Sequence, residues 1–143
     1  MDTNINSVLK EGQTIAVIGC SKKKFRTSYQ IAEYLQGAGY TIIPVHPDYK
    51  EVLGEKAYAS LTDISEDITV DIVDIFRNKK YTADMVDDVI KWKDKTGQTP
   101  VIWTQLDVSS PEAQEKAKNA GLPYIKNRCM MVEHKKWAID DEG

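Results

Sequence analysis

The sequence predicts an open three-layer α/β/α sandwich, with a parallel sheet of roughly five strands covered by helices on both faces. Three observations lead there. Short β-branched runs alternate with stretches of helical periodicity, the order from which right-handed βαβ crossovers are built. The runs are nearly continuous in apolar residues, as in "IAVI" and "VIW", which suits strands buried on both faces. The length of 143 residues suits one domain with one substantial core, so 1–143 is read as a single unit without repeats or linkers.

In chain order, "NINSVLKEG" reads as a leading helix with Ile5, Val8 and Leu9 inward. The first strand covers 14–18 and ends on Gly19. "TSYQ", 27–30, has the form of a capping box, with the Thr27 hydroxyl and Gln30 amide covering free N–H groups. Ile31, Ala32, Leu35 and Ala38 then share one helical face, and Gly37 and Gly39 close the element. The second strand covers 41–45. Residues 48–68 carry only a weak helical stripe and read as a loop with one or two short helical turns. A third strand covers 70–76. A helix follows over about 82–95, with Val86, Val89 and Ile90 inward and Gly97 closing it. After a fourth strand over 100–103, "SSPE" supplies an N-cap, Ser110, and a first helical residue, Pro111. Ala113, Ala117 and Ala120 pack that helix and Gly121 stops it. A short strand over 124–125 precedes "RCMMVEHKKW", a last helix with Met131, His134 and Trp137 roughly on one side.

Composition narrows the function. A net charge of −3 argues against nucleic acid or an anionic membrane as a general partner. The run Lys22, Lys23, Lys24 and then Arg26 is therefore a local positive spot, suited to a small anionic ligand. No apolar run reaches the length of about 18 residues that a membrane span needs. "MDTNINSVLKEG" lacks the basic start and apolar middle of a signal peptide. Cys20 and Cys129 lie far apart and outside any metal-type spacing, which fits a reducing cytoplasm.

In doubly wound sheets, ligands sit outside the carboxyl ends of the strands at the switch point. That directs attention to the loop after the first strand. Gly19 permits a tight turn and close approach by a ligand. The helix beginning near Ser28 offers free N–H groups and a positive dipole end, which suit phosphate. Cys20, Ser21 and Ser28 add small polar groups; Lys22, Lys23, Lys24 and Arg26 add charge. The plainer reading of such a run is a solvated surface loop. A dinucleotide site would show G-x-G-x-x-G and an acid closing the second strand. Here the loop is "GCSKKKF", and "PVHPD" puts His46 and Pro47 where the acid would stand. NAD is thereby disfavoured, and a Walker phosphate loop is absent from the sequence. Several cations suit a ligand with an extra phosphate beside a pyrophosphate. Coenzyme A (CoA) meets that description, and NADP less well because the glycine pattern fails.

The motifs "IAVIGCS", "SYQIAEYLQGAGYTIIPVHP", "VLGEKAYASLTDI", "VDIVDIFR", "VIWTQLDV", "EAQEKAKNAGL" and "NRCMMVEH" follow one another over 9–134. Together they resemble the small single-domain CoA-binding proteins of bacteria and archaea, relatives of the nucleotide domain in succinyl-CoA synthetase. The resemblance implies a Rossmann-like domain holding CoA at the carboxyl edge of the sheet. It assigns the phosphate turn to Gly19 and Ser21, and the groups after it to Lys24, Arg26 and Ser28. Val45, His46 and Pro47 would line the adenosine side. Phe76 and Arg77 would contact the diphosphate or pantetheine, and Gln105, Arg128 and Cys129 would lie near the far end of the ligand. The three lysines depart from the family, whose loop often carries proline or asparagine there, so the choice among Lys22, Lys23 and Lys24 stays open.

Other residues carry plainer readings. His46 divides evenly between turn structure and ligand wall. Asp71 and Asp74 could suggest a receiver-type phosphoacceptor, but that chemistry needs an acidic pair after the first strand, where this chain has "CSKKK". His134 reads as packing or capping, since neighbours in a helix point apart. Trp92, Trp103 and Trp137 read as packing. Cys129 is either an inert core thiol or a partner for the pantetheine thiol in a mixed disulfide. The expected function is binding of CoA or acyl-CoA, with no catalytic machinery or metal site legible. The alternatives are an NAD(P)-dependent oxidoreductase, or the nucleotide-binding subunit of a multi-chain acyl-CoA ligase; a homodimer or a partner subunit stays open.

Overall fold

A computed structural model describes residues 4–142. The chain order is α1 (Ile5–Glu11), β1 (Thr14–Ile18), α2 (Thr27–Gly37), β2 (Thr41–Val45), β3 (Glu51–Val52), β4 (Glu55–Lys56), β5 (Ile72–Ile75), α3 (Thr82–Thr96), β6 (Val101–Thr104), α4 (Pro111–Asn119), β7 (Tyr124–Ile125) and α5 (Met130–Glu142). Five strands form one sheet in the order β2-β1-β5-β6-β7, and every pairing in it is parallel. This is the Rossmann-like α/β sandwich the alternating pattern predicts.

Period-two alternation sends side chains to two cores. Ile15, Val17, Ile42, Ile72 and Trp103 meet Leu9 of α1, Ile31 and Leu35 of α2 and Met130 of α5. On the opposite face Ala16, Ile43, Val73 and Ile102 meet Val86, Val89 and Trp92 of α3 and Ala113 and Ala117 of α4. Trp92 and Trp103 are both fully buried, one in each core, while Trp137 packs at the edge of the first. The Trp103 indole N–H donates to the Arg128 carbonyl at 2.8 Å, which ties β6 to the segment leading into α5. His134 is buried among Tyr34, Tyr40 and Trp137 and accepts or donates a hydrogen bond with the Tyr34 hydroxyl at 2.8 Å, a packing role.

Several local expectations are corrected. The stretch 48–68 contains a hairpin, β3–β4, before a single 3₁₀ turn at Leu61–Asp63. Leu53 and Gly54 both take positive φ, 56° and 76°, as a two-residue hairpin turn requires. Leucine is not a residue that announces such a turn. Tertiary contacts hold it: Val52 is buried, and Gln36 of α2 donates to the Leu53 carbonyl at 3.1 Å. The third strand is Ile72–Ile75 rather than 70–76; before its start, the Val70 N–H is taken by the Gln98 side chain at 2.8 Å. The fourth runs Val101–Thr104, one residue later than the pattern suggests, and α3 extends to Thr96, where Gly97 closes it at a φ of 78°.

Candidate ligand-binding site

The strand order β2-β1-β5-β6 sets four chain exits side by side along the carboxyl edge. The residues that follow these strands are His46, Gly19, Phe76 and Gln105, in that spatial order. All four line a cavity of about 540 Å³. The chain leaves β1 toward β2 on one side and later returns to β5 on the other, so the cavity lies at the switch point, where doubly wound sheets place ligands.

Gly19 sits against the end of β5. Its φ of 83° is in the left-handed region, and an added Cβ would collide with the backbone carbonyl of Phe76. Its N–H donates to the Val45 carbonyl at 2.8 Å, and Phe76 N–H donates to Ile18 at 2.9 Å. The turn is thus locked between two neighbouring strand ends. From there the loop is organised by two serines. Ser28 Oγ accepts from the Ser21 N–H at 3.0 Å, Ser21 Oγ accepts from the Lys23 N–H at 3.0 Å, and the Arg26 N–H donates to the Lys23 carbonyl at 3.0 Å.

The capping box expected at 27–30 is absent. Thr27 is the first residue of α2, Arg26 stands at the N-cap, and it makes no side-chain cap bond. Gln30 instead reaches back to the Lys24 carbonyl at 3.2 Å. Thr27 and Ser28 line the cavity, so the helix end faces it without a side-chain cap. Lys23 and Arg26 flank that end. Among the described residues no carboxylate pairs with Lys22, Lys23, Lys24 or Arg26. Unpaired cations and free helix N–H groups together have the chemistry that suits an anion.

The walls differ in character. Ile31, Phe76, Leu106 and Val108 give an apolar side, with Gln105 and the half-buried Cys129. Opposite stand His46 and Tyr49, stacked at 4.2 Å with their planes 25° apart, and Lys22 Nζ lies 5.2 Å from the centre of the Tyr49 ring. His46 Nδ1 accepts from the Asp48 N–H at 3.1 Å. Burial is the main cause holding its pKa below the usual histidine value; Asp48 opposes the shift and Arg77 adds to it. The ring accepts a turn hydrogen bond and also lines the cavity, so turn structure and cavity wall meet in one residue. A second cavity of about 180 Å³ shares Gly19 with the first and is lined by Val45, Pro47, Arg77 and Asp88, among others.

Of the residues singled out in the sequence, Gly19, Ser21, Arg26, Ser28, His46, Phe76, Gln105 and Cys129 border the larger cavity. Val45, Pro47 and Arg77 border the smaller. Lys24, Cys20 and Arg128 border neither. Cys20 is fully buried, and burial, reinforced by the charge of Asp74, pushes its thiol up to about 12. The Arg128 guanidinium lies 3.4 Å from Glu133. Lys23 is the lysine on the cavity wall. Tyr49, Leu106 and Val108 escape sequence reading, although Leu106 and Val108 stand just past a strand end, where a ligand wall is expected.

A parallel sheet wound in this order, with a glycine turn and a cationic helix end beside a cavity at its switch point, defines a Rossmann-like α/β domain. The sequence pattern of the CoA binding domain family matches residues 13–135, and the chain belongs to that family. It is 35% identical over 130 residues to the Bacillus subtilis protein YneT, which is uncharacterized; the likeness covers 91% of each chain. A solved structure of a hypothetical protein from Pyrococcus horikoshii superposes with a TM-score of 0.85 at 38% identity, over 94% of this chain and 89% of that one. Over 61 residues, 43% of this chain, it is 33% identical to the ADP-forming acetate–CoA ligase of Methanocaldococcus jannaschii, of which it spans 9%. Among the described residues no helix is long and apolar enough to cross a membrane, and no cluster of three or more His, Cys, Asp or Glu side chains could hold a metal ion.

Proposed function

We propose that this chain is a single-domain binding module for CoA or acyl-CoA, with the nucleotide at the carboxyl edge of the sheet. The observation that carries the reading is the uncapped start of α2 beside Lys23 and Arg26, facing a cavity whose far wall is apolar. The phosphates lie against the cations and the helix N–H groups. The adenosine side takes the smaller cavity at Val45 and Pro47, and the pantetheine arm runs along Phe76 toward Gln105 and Cys129. Two free cysteines suit a reducing cytoplasm.

Calorimetry with CoA, dephospho-CoA, acetyl-CoA, NAD and NADP tests this. CoA should bind at least about tenfold more tightly than dephospho-CoA, the scale of one charge-assisted hydrogen bond. Tighter binding of NADP than of CoA overturns the reading. The local likeness to the acetate–CoA ligase favours a second reading, the nucleotide-binding subunit of a multi-chain acyl-CoA ligase. Co-purification with an ATP-grasp chain, against a homodimer or monomer by sedimentation, decides between them.

A further inference from the structure

A carboxyl group is buried in the middle of the sheet with half of its hydrogen-bonding capacity unused. Asp74 lies on β5, the central strand, and is wholly inaccessible to solvent. Its register partners are Val17 on β1 and Trp103 on β6, both fully buried. Oδ2 has no hydrogen-bond partner, and the nearby thiol of Cys20 is itself sealed from water. Burying an acid is costly unless its oxygens are hydrogen-bonded or paired with charge, and here only Oδ1 is. Its one hydrogen bond runs to Gln105, whose Nε2 donates to Oδ1 at 2.6 Å. Gln105 is only 5% exposed, and what it exposes lines the large cavity.

A carboxamide has two N–H donors and two lone pairs. One N–H of Gln105 is committed to Asp74, and Oε1 accepts from the Met130 N–H at 3.4 Å. One donor and one lone pair are left over. That remainder is the complement of a secondary amide, which offers one C=O and one N–H. Oδ1 of Asp74 accepts from Nε2 whether the group is an anion or a neutral acid, and the Met130 N–H donates to Oε1, so the two contacts together fix which end of the carboxamide is which.

We propose that Asp74 is a positioning residue: it orients the Gln105 carboxamide so that the inner wall of the cavity recognises a secondary amide in the arm of the bound ligand. The inference rests on the CoA reading, since the pantetheine arm carries two such amides. It assigns specificity for the arm to Gln105, apart from the phosphate contacts of Lys23 and Arg26. Burial raises the Asp74 carboxyl to about 7, so near neutral pH the group holds Gln105 either as acid or as anion.

The test measures CoA beside adenosine 3′-phosphate 5′-diphosphate, which keeps every phosphate and lacks the arm. Gln105→Met should weaken CoA about tenfold and leave the arm-less nucleotide unchanged. Asp74→Val, which removes the acceptor at similar volume, should cost the same for CoA only, and the double variant no more than either single one. Asp74→Asn keeps an acceptor for Nε2 and should restore most of the affinity. Equal losses for both ligands in the Gln105 and Asp74 variants, or CoA affinity unchanged in Gln105→Met, overturns the inference. Should Asp74→Val fail to fold, Asp74→Ala takes its place in the same comparison: a loss confined to CoA supports the inference, and unchanged CoA affinity or an equal loss for both ligands overturns it. Wild-type protein that binds neither ligand overturns the CoA reading itself, a result distinct from wild type binding both and the variants showing no arm-specific loss.

Discussion

Replacing Gly19 by alanine tests the turn on which the site is built. Two costs can be separated. Alanine at a φ of 83° pays the left-handed penalty, about 1–2 kcal/mol. Its Cβ also meets the Phe76 carbonyl, a backbone atom fixed by the β1–β5 pairing, so a strand end must shift. Overpacking of that kind costs about 1–3 kcal/mol. The sum, about 2–5 kcal/mol, is a large part of the total stability of about 5–15 kcal/mol expected for a domain. Two other glycines calibrate it. Gly54 has a φ of 76° but open space around its Cβ position, so Gly54→Ala should cost only the strain. Gly37, at the end of α2, has neither a positive φ nor a neighbour, and Gly37→Ala should be neutral or stabilise by up to about 1 kcal/mol. Urea denaturation of the three variants gives the order directly. If Gly19→Ala is no less stable than Gly54→Ala, the contact with Phe76 carries no energy and the locked turn is refuted. The same substitution should weaken CoA by more than tenfold, because Phe76, at the displaced strand end, lines the cavity.

Three further outcomes follow from the site. Lys23→Gln should weaken CoA about tenfold at low ionic strength and less at high salt, whereas Lys24→Gln should change it less than threefold; equal effects would remove Lys23 from its place beside the phosphates. With oxidised CoA, the Cys129 thiolate should attack one sulfur of the disulfide, forming a mixed disulfide and releasing one CoA thiolate. Intact mass should then rise by one CoA moiety, and Cys129→Ser should abolish the gain; an adduct surviving that substitution would exclude Cys129. Asp74 keeps its proton to about pH 7 when folded, against an ordinary 3.8. The folded state therefore binds more protons between those values, and this contribution to stability falls as pH rises through the window. Its size is on the order of 4 kcal/mol. Urea midpoints at pH 4.5 and 8 should differ less in Asp74→Asn by that sense. His46 and His134, both held below the usual histidine value by burial, contribute the opposite slope and cancel in the comparison with wild type.

Strands were legible where the physics is local. β1, β2 and β7 coincide with β-branched runs, and Ser110–Pro111 start α4 with the Ser110 hydroxyl accepting from the Ala113 N–H at 3.1 Å. The β3–β4 hairpin was not legible, since Leu53 is held at positive φ by Gln36 and the burial of Val52. The capping box that the spacing predicts does not form, for a related reason. Thr27 and Gln30 have the right spacing, but the loop is organised by Ser21 and Ser28, which leaves the helix end to the cavity.

From the sequence alone come the alternating elements, the glycine after the first strand, the cations beside it and the family. Each depends on neighbours a few residues apart, or on a pattern spread along the whole chain. Only the tertiary structure decides that His46, Gly19, Phe76 and Gln105 line one cavity, because that depends on strand order. It also selects Lys23 from three adjacent lysines, whose directions are set by the serine-bonded loop. And it pairs Asp74 with Gln105 across 31 positions of sequence, an interaction that exists only where β5 and β6 lie side by side.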